Sequence, residues 1–257
     1  MNLILVAFTC LLLPLLGSTQ FIDTDCENGT VANSTSRPWM AFLYSTEGRF
    51  ICFGSLITNR LVLTAAHCIL PKTATVARLG DYDDAHNQVV ARVQSSHMHR
   101  LYNQRNLTND IAILALDRKV EYTDKIRPIC IVRDTRWRKS IDSLNPLTGA
   151  GWAKMESKSD SAKIRTLELV RRQPAICQID ATTPLTTSQF CAGSGESNLG
   201  NGDSGGPVGG LIQFGKSQRF IQVGIASFMY GRSAEASVFT DVLSYVDWIL
   251  AVHNHHK

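Results

Sequence analysis

The stretch "NGDSGGP", residues 201–207, sets Ser204 between an aspartate and a pair of glycines. A serine hydroxyl is a weak nucleophile near neutral pH, so a neighbouring base must take its proton before it can attack. Two other stretches supply what is missing. "LTAAHC" (63–68) carries His67 at the end of an apolar run, and "NDIAIL" (109–114) carries Asp110 at the start of another. Each residue alone has a plainer reading: a core histidine, a strand-edge aspartate, a loop serine. Together they offer a base, an orienting carboxylate and a nucleophile in the order His, Asp, Ser. An imidazole takes the serine proton, and a buried carboxylate holds the imidazole tautomer and stabilises the cation that forms. The glycines let the backbone turn so that the N–H groups of Gly202 and Ser204 face one developing oxyanion.

Around these stretches the chain reads as strands. "WMAFLY" (39–44), "RFICFGSLI" (49–57), "RLVLTAA" (60–66), "TATVARLG" (73–80), "QVVARVQ" (88–94), "DIAILAL" (110–116) and "RFIQVGIASF" (219–228) are apolar or alternating runs broken by turn residues. Their spacing suggests barrels or a sandwich rather than β-α-β units. A length of 257 residues with 44% hydrophobic content suits one large all-β domain or two small ones. The end differs. Val242, Tyr245, Val246, Ile249 and Leu250 follow helical spacing after Asp241, which predicts one amphipathic C-terminal helix. Beyond it, His253, His255 and His256 read as a frayed, solvated tail, with metal binding as the alternative.

The net charge of +4 comes from 26 basic and 22 acidic residues mixed along the chain, so it marks a solvated surface and not a nucleic-acid footprint. Residues 1–20 carry an apolar run from Leu3 to Leu16 that gives way to Gly17, Ser18 and Thr19, the pattern of a cleaved export signal. No later segment is long and apolar enough to cross a membrane, which predicts a secreted, soluble protein. Three glycan-acceptor triplets at Asn28, Asn33 and Asn106 agree with export. Cys10 lies in the signal. The other six, Cys26, Cys52, Cys68, Cys130, Cys177 and Cys191, are an even set that reads as three disulfides, with fifteen pairings open. Zinc is the competing reading, which the absence of any C-x-x-C pair disfavours.

With "GAGWAK" (149–154), "FCAGSG" (190–195), "VFTDV" (238–242) and "YVDWI" (245–249) added to the first three stretches, the chain resembles the chymotrypsin-like (trypsin-type) serine proteases over roughly residues 28–252. The resemblance implies two six-stranded antiparallel β-barrels with a C-terminal α-helix and a site in the cleft between barrels. It implies His67 as base, Asp110 as orienter, Ser204 as nucleophile, Gly202 and Ser204 as oxyanion donors, and Asp203 as partner of a new N-terminus. It implies the pairs Cys52–Cys68, Cys177–Cys191 and Cys26–Cys130. It divides the chain into a signal (1–20), a short residual pro-segment (21–27) and a protease domain (28–257). A monomer acting on protein or peptide substrates follows, with protease inhibitors or cascade proteins as partners and no metal or organic cofactor.

Several positions depart from the family pattern. Asn198, six residues before Ser204, stands at the pocket floor where a trypsin has Asp. Phe228 and Met229 follow Ser227 in place of Trp-Gly, and Ser237 replaces a wall glycine. Gly200 stands where a further bridge would begin, and its partner cysteine is also missing. The Arg-Ile-Val-Gly-Gly activation site is absent, because "DCENG" (25–29) occupies its place and the nearby Arg37 precedes Pro38. Two function classes stay open on these grounds: a secreted endopeptidase without strict trypsin-like specificity, and a non-catalytic homologue that binds a partner in an extracellular protease cascade.

Overall fold

Twelve strands, among the residues the structure describes, close into two barrels with the same internal order. The structure is a computed structural model that describes residues 20–26, 37–69, 75–82, 87–152, 164–178, 183–194, 202–229 and 236–257. The expected signal apart from Gln20, the acceptors Asn28 and Asn33, the segment at 27–36, Asn198 and Gly200 lie outside the described residues.

The first barrel comprises β1 (Met40–Ser45), β2 (Phe50–Leu56), β3 (Leu61–Thr64), β4 (Thr75–Leu79), β5 (Val89–Met98) and β6 (Ala112–Leu116). Its closed order is β1-β2-β3-β6-β5-β4, every pair antiparallel. After a short helix α1 (Arg138–Asp142), the second barrel comprises β7 (Leu147–Trp152), β8 (Ile164–Arg172), β9 (Gln189–Gly193), β10 (Pro207–Phe214), β11 (Ser217–Met229) and β12 (Ser237–Asp241). It closes as β10-β11-β12-β9-β8-β7, the same wiring. Closure leaves no sheet edge, and alternate side chains fill each interior. Along β5 the alternation is visible, with Ala91 and Val93 turned inward and Val90, Arg92 and Gln94 outward.

The sequence reading found all six strands of the first barrel and, in the second, only β11; β7, β8, β9, β10 and β12 escaped it as strands. The C-terminal helix is present, in two parts. Asp241 caps a 3-10 turn over Val242–Tyr245 by accepting from the Ser244 N–H at 3.2 Å, and α2 (Val246–His255) follows. The expected frayed tail is corrected: the helix runs through His255, and His256 docks on His97 of β5. The first turn of the helix is seated by Tyr245 and Trp248, which pack on His99, one residue past the end of β5.

The barrels meet through a few buried contacts. Trp39 stacks on Phe220 of β11 with centroids 4.8 Å apart, Ser55 Oγ of β2 donates to Gln222 Oε1 at 2.7 Å, and the Phe53 N–H donates to the Ser204 carbonyl at 2.9 Å. All three implied disulfides are present: Cys26–Cys130, Cys52–Cys68 and Cys177–Cys191. The first anchors the segment 20–26. There Ile22 N donates to Ile131 O, Arg133 N donates to Gln20 O, and Phe21 packs edge-on against Phe214.

Candidate active site

Asp110 enters the molecule two residues ahead of a wholly buried strand. β6 is apolar throughout, so its burial draws Asp110 down to full burial. The preceding Asn109 takes φ +54°, the left-handed region that Asn tolerates better than most residues. Its side chain is held from both sides, accepting from the Tyr245 hydroxyl at 3.0 Å and donating to the Leu101 carbonyl at 2.9 Å. Thr240 Oγ1 of β12 donates to the Asp110 carbonyl at 3.0 Å, so the second barrel grips this residue of the first.

A carboxylate so buried requires donors. Asp110 Oδ1 accepts from the His67 N–H at 2.9 Å, and Oδ2 lies 2.7 Å from His67 Nδ1. Ser227 Oγ donates to the same Oδ2. Since a carboxylate only accepts, Nδ1 carries the hydrogen and Nε2 of the neutral ring presents its lone pair. Burial, with the Asp110 charge adding to it, pushes the nearby Tyr102 phenol up to about 12, so Tyr102 stays protonated.

Ser227 reaches Asp110 through a β-bulge. On the β11–β12 ladder Ala226 faces Phe239 and Phe228 faces Val238, which leaves Ser227 as the extra residue. An extra residue re-aims its side chain out of the alternating pattern. The sequence reading placed Ser227 among the substrate contacts; the structure places its hydroxyl on the carboxylate.

Ser204 is partly buried on the loop entering β10. Gly205 follows with φ +76°, and its N–H donates to the Ala226 carbonyl at 2.8 Å. A Cβ at Gly205 would stand 2.3 Å from both the Phe53 carbonyl and Thr64 Oγ1, and 3.3 Å from Cys68 Sγ. The serine loop is therefore wedged against β2 and against the residue next to His67, which sits on the 3-10 turn Ala66–Cys68 after β3. Gly202 has φ +99°, accessible to glycine above all. Asp203 is fully buried, its carboxyl so close to Gly151 that a Cβ there would meet Oδ2 at 2.7 Å.

The pocket-side residues spread along β11 and β12. Met229 is 39% exposed, whereas Ser237 is buried with its hydroxyl unbonded. Phe228 lines a cavity of about 230 Å³ together with Leu185, Thr186, Gln189, Thr108 and the acceptor Asn106. From the sequence, Asn106 and Thr108 stand out only as parts of a glycan-acceptor triplet, and Leu185, Thr186 and Gln189 do not stand out at all, because the cavity joins segments far apart in the chain. Cys52, His67 and Cys68 lie close enough to suggest a metal group, but both sulfurs are committed to one disulfide and neither is a thiolate. That removes the zinc reading of these cysteines.

A profile of the family described as Trypsin matches residues 27–249. "Serine protease grass" of Drosophila melanogaster is 29% identical over 255 residues, covering 89% of this chain and 68% of that protein. "Serine protease 7" of the same organism is 33% identical over 242 residues, covering 82% of this chain and 61% of that protein. The chain thus spans about two thirds of the length of these relatives. The crystal structure of the Drosophila Grass clip serine protease of the Toll pathway superposes with a TM-score of 0.75 at 26% identity, over 91% of this chain and 77% of that one.

Proposed function

The chain belongs to the trypsin family of serine proteases, and from that premise we propose that it is a secreted endopeptidase that cuts protein substrates with Ser204, His67 and Asp110. The reading rests above all on the Asp110–His67 pair, with its 2.7 Å contact and full burial of the carboxylate. Ser204 Oγ attacks the scissile carbonyl carbon as His67 Nε2 takes its proton. Asp110 keeps the ring oriented and stabilises the imidazolium. The N–H groups of Gly202 and Ser204 hold the oxyanion of the tetrahedral intermediate, where losing one donor typically costs ~100- to 1000-fold in turnover. The intermediate collapses, His67 gives its proton to the leaving amine, and water releases the acyl group by the same steps in reverse.

Around this chemistry, the signal at residues 1–20 is removed, the 21–27 segment stays tethered by the Cys26–Cys130 bridge, and residues 28–257 act as a monomer. Asp203 is the partner of an arming charge. Asn198, Phe228, Met229 and Ser237 shape a pocket with no fixed negative charge on these side chains, so cleavage is not restricted to sites after Lys or Arg. Protease inhibitors and other members of an extracellular cascade are the partners.

One observation favours a second reading. Cys26, which opens the "CENG" found in place of an activation motif, is held in a disulfide. In that reading the chain is a non-catalytic homologue that binds a cascade protein. A fluorophosphonate probe separates the two. Protein secreted from a eukaryotic host should gain one adduct mass on Ser204, and Ser204→Ala should gain none. No adduct, in wild-type protein with a cooperative melt, would reject the endopeptidase.

Ser227→Ala supplies a finer test. Removing one hydrogen bond to a charged acceptor should lower kcat about tenfold with KM little changed. An unaltered kcat would mean that the bulge serves packing alone.

A further inference from the structure

His97, in β5, and His256, at the end of α2, turn ring nitrogens toward each other across 159 residues of sequence. Their Nε2 atoms are 2.7 Å apart and their ring centroids 4.8 Å. His255 packs edge-on against both, its centroid 5.0 Å from that of His256 and 6.2 Å from that of His97. The fold presents these groups on purpose-built supports. His99, one residue past the end of β5, is taken up by Tyr245 and Trp248, which sets the register between strand and helix. The helix then closes where the His256 N–H donates to the His253 carbonyl at 3.1 Å, and this turn brings His256 over His97.

We propose that His97, His256 and His255 form a binding site for a divalent transition-metal ion of the zinc type, which clamps the C-terminal helix to the first barrel. Two nitrogens that meet head-on share one hydrogen at most, so at least one presents a lone pair, and a lone pair on imidazole is the ligand such ions take. A tetrahedral zinc with bonds of about 2.0–2.1 Å holds two ligand nitrogens roughly 3.3 Å apart, so the pair needs to open by only about 0.6 Å. The exposed His255 can swing in as third ligand, and water completes the shell. Ser95 Oγ, 3.3 Å from His97 Nε2, is placed to bond that water. The nearby Arg60 opposes a cation, although its guanidinium is held away by the Leu116 carbonyl at 3.0 Å and Gln94 Oε1 at 2.6 Å. A set of imidazoles selects zinc, nickel or copper over calcium and magnesium, which prefer oxygen.

The test uses the whole secreted protein, stripped with EDTA and then given zinc chloride or magnesium chloride. Zinc at about 100 times its dissociation constant should raise Tm by roughly 5 °C, and magnesium should not. His97→Gln and His256→Gln should each weaken zinc binding, measured by calorimetry, by at least about tenfold. His253→Gln, on the same helix but outside the cluster, should bind zinc as the wild type does. No zinc response in the wild type would overturn the site. So would a response that survives unchanged in His97→Gln and His256→Gln, because the ion would then sit elsewhere, on His67 for example. If a variant fails to fold, imidazole nitrogen shifts in the wild type decide: zinc should move His97 and His256, and motion of His67 alone would overturn the assignment.

Discussion

Asp110→Asn is expected to lower the rate of Ser204 acylation by roughly 10⁴-fold, the size of loss seen when the carboxylate of a Ser-His-Asp triad becomes an amide. Three donors converge on Asp110: the His67 N–H on Oδ1, with His67 Nδ1 and Ser227 Oγ on Oδ2. An amide has one acceptor oxygen. If that oxygen serves the His67 N–H, the NH₂ faces Nδ1 and can only donate. The ring must then carry its hydrogen on Nε2, the position that should take the proton from Ser204. The wrong tautomer, and not a lost fold, carries the effect. Pseudo-first-order labelling by a fluorophosphonate should therefore collapse while Tm changes by a few degrees. A loss below about tenfold would show that His67 does not depend on Asp110 for its tautomer.

Gly205→Ala should cost stability on the scale of roughly 3 kcal/mol or more, lowering Tm by about 10 °C or preventing secretion. Two penalties add. The φ of +76° is strained for any residue with a Cβ, and that Cβ would lie 2.3 Å from the Phe53 carbonyl and from Thr64 Oγ1. Neither obstacle can yield easily. Thr64 Oγ1 already donates to the Phe53 carbonyl at 2.8 Å, and the Phe53 N–H holds the Ser204 carbonyl. Gly48→Ala is the matched control. Gly48 has φ +77° but no atom within 4 Å of an added Cβ, so it meets the backbone penalty alone, about 1–2 kcal/mol. Equal losses for the two variants would mean that the serine loop is not wedged between the barrels.

Much of this architecture could be read from the chain, and the reasons for the gaps are physical. The first barrel is written in long apolar runs such as "DIAILAL", which leave little choice but a buried strand. The second is not. β7, "LTGAGW", carries two glycines that weaken its strand signal, and Gly151 has no room for a Cβ beside the Asp203 and Leu167 side chains. β10 opens on Pro207 and a Gly209–Gly210 pair, and β12 has only five residues, short of the periodicity that identifies a strand. His67, Asp110 and Ser204 stood out because each lies in a distinctive local stretch. The bond from Ser227 to Asp110 was not legible, since a two-residue period cannot reveal where a ladder holds one residue too many. The docking of His256 escaped for another reason: a polar end after a helix looks the same whether or not a strand 159 residues earlier offers it a partner.

The Cys26–Cys130 bridge makes the first barrel a covalent ring. All six of its strands lie between the two cysteines, and the Cys52–Cys68 bridge closes a smaller ring inside the larger. A machine that pulls on the two ends of the chain, whether an unfoldase or a force probe, cannot straighten that ring. The 104-residue separation withholds about 350 Å of contour length, at roughly 3.4 Å per residue. Under tension the second barrel ravels out while the first, even when its strands part, stays a knot of fixed circumference. Only a reductant or a cut inside the ring lets it run to full length.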